Sequence, residues 1–120
     1  MSNVEALEHQ KKQFNDLILR RGMAQRLYAN RDFKKLIMDF FCTEECARYV
    51  HTSADPSIGK DSRADALALA QAAGHLRRFL SVVVQMGNAA EHQMEALGEA
   101  LDEARAEELG ENSSDLDGDL

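Results

Sequence analysis

The sequence predicts an all-α protein in which three short N-terminal helices pack on one long C-terminal helix. Residues that interrupt helices are scarce, since the 120 residues include one proline and seven glycines. Apolar residues make up 44% of the chain, and from Ala66 to Ala104 they recur with a heptad period. The β-branched cluster Val82–Val84 lies inside this heptad run, so a helix is favoured over a strand there.

The first helix is predicted to start at a cap on Asn3 and to run to about Tyr28. Its apolar residues follow a loose helical stripe: Leu7, Phe14, Leu17, Ile18, Ala24, Leu27 and Tyr28. A turn follows at residues 29–31, with Asn30 or Asp32 as the cap of the next helix.

The second helix, from Phe33 to Phe41, is predicted to anchor the core, because aromatic side chains bury the largest apolar areas. The predicted core residues share one wide helical face: Phe33, Leu36, Ile37, Phe40 and Phe41. Truncation of a fully buried Phe to Ala costs about 3–5 kcal/mol. A third helix is expected from a cap at Thr43 through Val50, followed by a turn at residues 55–57.

The long helix is predicted over residues 61–109, capped by Asp61 or Ser62 and closed by Gly110. One domain would then cover residues 1–110, followed by a disordered acidic tail at 111–120. The heptad seam comprises Ala66, Leu69, Ala73, Leu76, Leu80, Val83, Gly87, Ala90, Met94, Leu97, Leu101 and Ala104. The seam from Ala66 to Ala104 alone spans roughly 58 Å if the helix is unbroken, so the helix either projects towards a partner or breaks at Gly87-Asn88 and folds back.

The seam is rich in small residues, which allow two helix axes to approach closely. One interpretation is self-association of the long helix, with this expected oligomer interface: Leu80, Val83, Gly87, Ala90, Met94, Leu97 and Leu101. The other is that the same stripe buries the N-terminal helices within one chain. The two interpretations are compatible, because the seam is longer than the shorter helices can cover.

The net charge of −7 is distributed unevenly. Residues 1–60 carry ten basic and eight acidic side chains, whereas residues 61–120 carry four and thirteen. This balance argues against direct nucleic-acid binding. An acidic partner face is expected at Glu91, Glu95, Glu99 and Asp102, because like charges at this spacing favour solvent or a basic partner. The basic N-terminal half is a solvated face or docks onto an acidic surface, including that of another copy.

The sequence predicts neither catalytic residues, nor a cofactor, nor a metal site. His9, His51, His75 and His92 are dispersed, without a reactive neighbour at catalytic spacing. Cys42 and Cys46 stand four residues apart, but a helix start at Thr43 would separate them, and a fourth ligand is lacking. Buried structural thiols are therefore expected. Without a run of 18 apolar residues or a signal peptide, the expected location is a reducing cytoplasm without membrane contact.

Three segments resemble patterns in small helical proteins of tailed bacteriophages. They are residues 26–37 (RLYANRDFKKLI), 45–48 (ECAR) and 86–91 (MGNAAE). The resemblance implies a phage origin, a place in the host cytoplasm or the virion, and a role in virion assembly or as a minor virion component. It transfers no site residue.

Two functions are therefore expected. The first is a non-enzymatic, oligomeric helical interaction protein of a phage, whose partners are its own copies and another phage or host protein. The alternative is an inhibitor or decoy that binds a host protein through the acidic C-terminal half.

Overall fold

A computed structural model describes the backbone of residues 2–118 and the side chains up to Glu111. Within these residues the chain forms three helices and no strand, so the all-α class is confirmed. Helix α1 covers Asn3–Ala29, helix α2 covers residues 31–54, and helix α3 covers Lys60–Gly118. The predicted second and third helices are thus one continuous helix.

Helix α1 begins with a capping box at Ser2. The backbone N–H of Glu5 donates to the Ser2 hydroxyl at 3.1 Å, and the Ser2 N–H donates back to the Glu5 carboxylate at 3.4 Å. These two bonds satisfy amide groups that have no partner within the helix. The cap therefore lies one residue before the predicted Asn3. The helix continues through Gly22 to Ala29, close to the predicted end.

The turn between α1 and α2 ends at Asn30, whose side-chain oxygen accepts a hydrogen bond from the Phe33 N–H at 2.8 Å. The expected cap at Asn30 is thus confirmed, and Asp32 lies in the first turn of the helix.

We expect Asn30→Ala to lower the free energy of unfolding by about 1 kcal/mol, because it removes this cap bond. Urea denaturation followed by circular dichroism measures the change. Asn30→Asp is the matched control, since its carboxylate also accepts the bond, and it should be nearly neutral. Equal losses in the two variants would show that the cap bond contributes little.

Helix α2 contains a long π-helical segment. Its backbone is α-helical at Arg31–Phe33, π-helical at Lys34–Glu45 and α-helical again at Cys46–Ala54. The wider turn shows in a backbone bond across five residues, in which the Cys46 N–H donates to the Phe41 carbonyl. The Thr43 hydroxyl also donates to the Met38 carbonyl, at 2.9 Å. Such helices are rare and usually limited to one turn. Thr43 therefore lies within a helix, and the predicted cap at Thr43 is wrong.

The π-helix changes which side chains face inward. An α-helix places residues 33, 36, 37, 40 and 41 on one face, whereas wider turns bring residues four to five apart together. Phe33, Ile37 and Phe41 are accordingly half-buried, while Leu36 is 62% exposed and Phe40 is 45% exposed. The inner face is completed by Met38, Cys42, Glu45 and Cys46. Leu36 and Phe40 thus lie outside the core, and that part of the core prediction is wrong.

We expect Phe40→Ala to lower the free energy of unfolding by about 1–2 kcal/mol. The side chain is 45% exposed, so folding removes only about half of its apolar surface from water. Phe41→Ala, on the covered side of the same helix, should cost more. Chemical denaturation of both variants makes the comparison. A loss of about 3 kcal/mol or more at Phe40 would place its ring in the core.

The α2–α3 connection is a turn, as predicted. The Asp55 carboxylate accepts bonds from the Ser57 N–H at 2.9 Å and from the Ser57 hydroxyl at 2.7 Å. These bonds lower the pKa of Asp55. Helix α3 begins at Lys60, so neither Asp61 nor Ser62 is its cap.

Helix α3 is unbroken at Gly87-Asn88 and extends past the predicted end near Leu109 to Gly118. Gly110 therefore lies inside the helix, and its φ is not positive as a C-cap glycine would require. The disordered tail expected at residues 111–120 stays a prediction; its first eight residues continue α3, and its last two lie outside the described residues.

Contacts divide the chain into two compact units. Unit 1 pairs residues 1–20 with residues 86–120, and unit 2 is the continuous stretch Arg21–Gln85. Unit 1 therefore joins the start of α1 to the second half of α3, whereas unit 2 combines the end of α1, all of α2 and the first half of α3. The single domain expected over residues 1–110 stays a prediction.

Candidate interaction surfaces

The predicted heptad seam is the covered face of α3. Eleven of its twelve residues are buried or half-buried within the single chain, and Leu69 alone is exposed, at 43%. Ala70, the next residue, is buried in its place. The structure thus places all seven residues of the expected oligomer interface on the covered face of their own chain: Leu80, Val83, Gly87, Ala90, Met94, Leu97 and Leu101.

In unit 1, α1 covers the far part of this seam. Leu7 and Phe14 of α1 line a groove together with Leu97 of α3. Beside it, Arg105 donates to the Glu8 carboxylate at 3.1 Å. Leu97 and Leu101 are consequently only 6% and 2% exposed. The expectation that the seam is longer than the shorter helices can cover is therefore wrong at Leu97 and Leu101, which are buried within the chain.

In unit 2, two cysteines of α2 contact the backbone of α3. The Cys42 thiol lies 3.8 Å from the carbonyl oxygen of Ala73, and the Cys46 thiol lies 3.6 Å from that of Ala70. Small side chains on α3 permit this approach, and Ala73 is fully buried. Burial raises the pKa of the Cys42 thiol, and the nearby Arg77 charge partly opposes that shift. Both thiols are free, on one helix rather than on two.

Unit 2 buries small side chains and exposes large ones. Its fully covered apolar residues are Ala24, Cys42, Ala66, Ala70, Ala73 and Leu80. Its large apolar side chains with more than 40% exposure are Met23, Leu27, Leu36, Phe40, Val50, Leu67, Leu69 and Phe79. A single exposed leucine is ordinary, whereas a contiguous apolar patch marks an interaction site; of these side chains, Leu36 and Phe40 line one open depression.

Four of these exposed side chains flank the turn at Asn30 among basic residues. On either side of this turn, the end of α1 and the start of α2 expose Met23, Leu27, Leu36 and Phe40 with the cations Arg26, Arg31, Lys34 and Lys35, and we name this set of exposed residues the turn face. Leu36 and Phe40 line an open depression with Asp32 and Lys35. Residues 21–40 hold five basic and two acidic side chains. The face therefore combines apolar contact area with positive charge.

The predicted acidic partner face lies on the exposed side of α3. Glu91, Glu95, Glu99 and Asp102 are all exposed. Residues 91–111 hold eight acidic side chains and one basic side chain, Arg105, which pairs with Glu8. This cation is thus directed to Glu8 of α1.

The four histidines are exposed and lie far apart along the chain: His9, His51, His75 and His92. Within the described part of the chain, no three His, Cys, Asp or Glu side chains come together where they could hold a metal ion. Among the helices described, none has the length and apolar character needed to cross a membrane.

Neither a protein-family model, nor a curated protein, nor a solved structure matches this chain. The candidate sites therefore depend on the chain's own geometry. Sequence reasoning identified the acidic face but missed the turn face, because the apolar pattern of residues 33–41 fits an α-helix and gives no sign of the π-helix.

Proposed function

We propose that this chain is a non-enzymatic helical protein that associates with its own copies during virion assembly of a bacteriophage, or as a minor virion component. The observation that carries self-association is the composition of unit 2, where small residues are covered and large apolar residues are exposed. Burial of those side chains against another protein removes apolar surface from water at about 25 cal/mol per Å². The phage context rests on the resemblance of residues 26–37, 45–48 and 86–91.

Light scattering at tens of micromolar tests the association, and mass analysis of purified virions tests the location. We expect a dimer or larger species, and the chain among the virion proteins or bound to assembling particles. A monomeric mass under these conditions would contradict self-association. Absence from both mature and assembling particles would contradict the assembly role.

A second function is favoured by one observation, the exposure of the acidic partner face. A decoy would use Glu91, Glu95, Glu99 and Asp102 to bind a basic surface of a host protein, and its affinity would fall steeply with added salt. Affinity purification with wild type and with Glu95→Lys/Glu99→Lys separates the two functions. If the protein is a decoy, the variant should no longer capture a host protein that the wild type captures. If it is an assembly protein, wild type and variant should capture the same host proteins.

A further inference from the structure

We propose that copies of this chain join head to tail, with the turn face of one copy bound to the acidic partner face of the next. The proposal rests on the self-association proposed above and adds which surfaces meet. Each contact then joins two different faces.

Charge complementarity argues for this pairing. The turn face carries Arg26, Arg31, Lys34 and Lys35, and it lies in a stretch with an excess of three positive charges. The acidic partner face lies in a stretch with an excess of seven negative charges. Opposite electrostatic potentials speed the encounter of two surfaces and fix their alignment, whereas two like-charged surfaces repel each other. Two turn faces or two acidic faces would each bring like charges together.

The two faces belong to different units, and both are exposed in the single chain. The turn face is part of unit 2, and the acidic partner face is part of unit 1. One copy therefore offers both halves of the contact at once. A heterologous contact that closes gives a ring, and one that does not close gives a filament. A two-fold arrangement, in which each copy's turn face binds the other copy's acidic partner face, stops at a dimer.

Long side chains supply the apolar part of the contact. The exposed apolar groups of the turn face, Met23, Leu27, Leu36 and Phe40, need partners that carry methylene groups. Arg26 and Lys35 carry long methylene stems beside these apolar groups, so their charges can reach the carboxylates of the acidic partner face while the stems cover apolar surface.

Charge reversal on each face tests the pairing. The turn-face variant is Arg26→Glu/Lys35→Glu, and the acidic-face variant is Glu95→Lys/Glu99→Lys; all four side chains are exposed. We expect each variant alone to self-associate at least about tenfold more weakly than wild type in light scattering at low salt. An equimolar mixture should regain the wild-type mass, because each altered face meets its complement.

Matched controls change the same charges elsewhere. Lys11→Glu/Lys12→Glu and Glu44→Lys/Asp65→Lys alter exposed residues outside both faces and should keep the wild-type mass. Circular dichroism checks the fold of every variant. Should a reversal unfold the chain, the near-isosteric Glu95→Gln/Glu99→Gln makes the same measurement and should also weaken association.

The outcomes separate the pairing from the proposed function. A monomeric wild type overturns self-association itself. If the wild type is oligomeric and the folded acidic-face variant keeps the same mass, the head-to-tail pairing is overturned. Self-association itself is not contradicted by that result. If both variants lose self-association and their equimolar mixture does not regain it, the pairing is also overturned. In the mixture, the two altered faces are again opposite in charge and should bind each other.

Discussion

Leu101→Ala is expected to lower the free energy of unfolding by about 2–5 kcal/mol, the range for a buried leucine whose removal leaves a cavity. Leu101 is 2% exposed and is the largest of the fully buried side chains among the described residues. It lies on the covered face of α3 in unit 1. How far the neighbouring side chains refill the space sets where the loss falls within this range. Urea denaturation measures the loss.

The same substitution at Leu109 provides the control. Leu109 lies on the same helix and in the same unit, but it is 70% exposed. Leu109→Ala should therefore change stability by no more than about 0.5 kcal/mol. Equal losses at the two positions would mean that the seam residue is not covered by its own chain.

Ala73→Leu is expected to destabilise the protein by about 1–3 kcal/mol or more, because it overpacks a close contact between two helices. Ala73 is fully buried, and the Cys42 thiol lies 3.8 Å from its carbonyl oxygen. Three added carbons must displace α2 or force a strained rotamer. Leucine and alanine are both good helix formers, so intrinsic propensity contributes little to this loss.

Ala72→Leu is the matched control, one residue away on the same helix and exposed. It adds the same three carbons and should be close to neutral in thermal and chemical denaturation. A stable, folded Ala73→Leu variant with wild-type melting behaviour would show that α2 and α3 are not in close contact there.

The heptad period made the long helix predictable, because apolar residues at an average spacing of 3.5 positions mark the side chains that a helix covers. It could not show what covers the seam. A seam buried by another copy and one buried by α1 have the same sequence pattern. The difference depends on how far α1 reaches, and in unit 1 it reaches Leu97 and Leu101.

The π-helix explains the other difference between sequence and structure. Predictions from periodicity assume 3.6 residues per turn, and the apolar residues 33, 36, 37, 40 and 41 fit that period. In the wider helix, Leu36 and Phe40 turn outward while Cys42 and Cys46 turn inward. The turn face could therefore not be predicted, whereas the acidic partner face could, because α3 keeps regular α-helical geometry.

The chain segments that form each unit have a consequence for the order of folding. Unit 2 is one uninterrupted stretch, so its helices meet after short loops have closed. Unit 1 joins Glu8 to Arg105, 97 positions apart, and closing a long loop costs more entropy than closing a short one. During synthesis from the N-terminus, Leu7 and Phe14 must wait until the second half of α3 has been made. Pulsed hydrogen exchange during refolding should protect the amides of α2 before those of residues 5–14, and the reverse order would contradict this sequence of events.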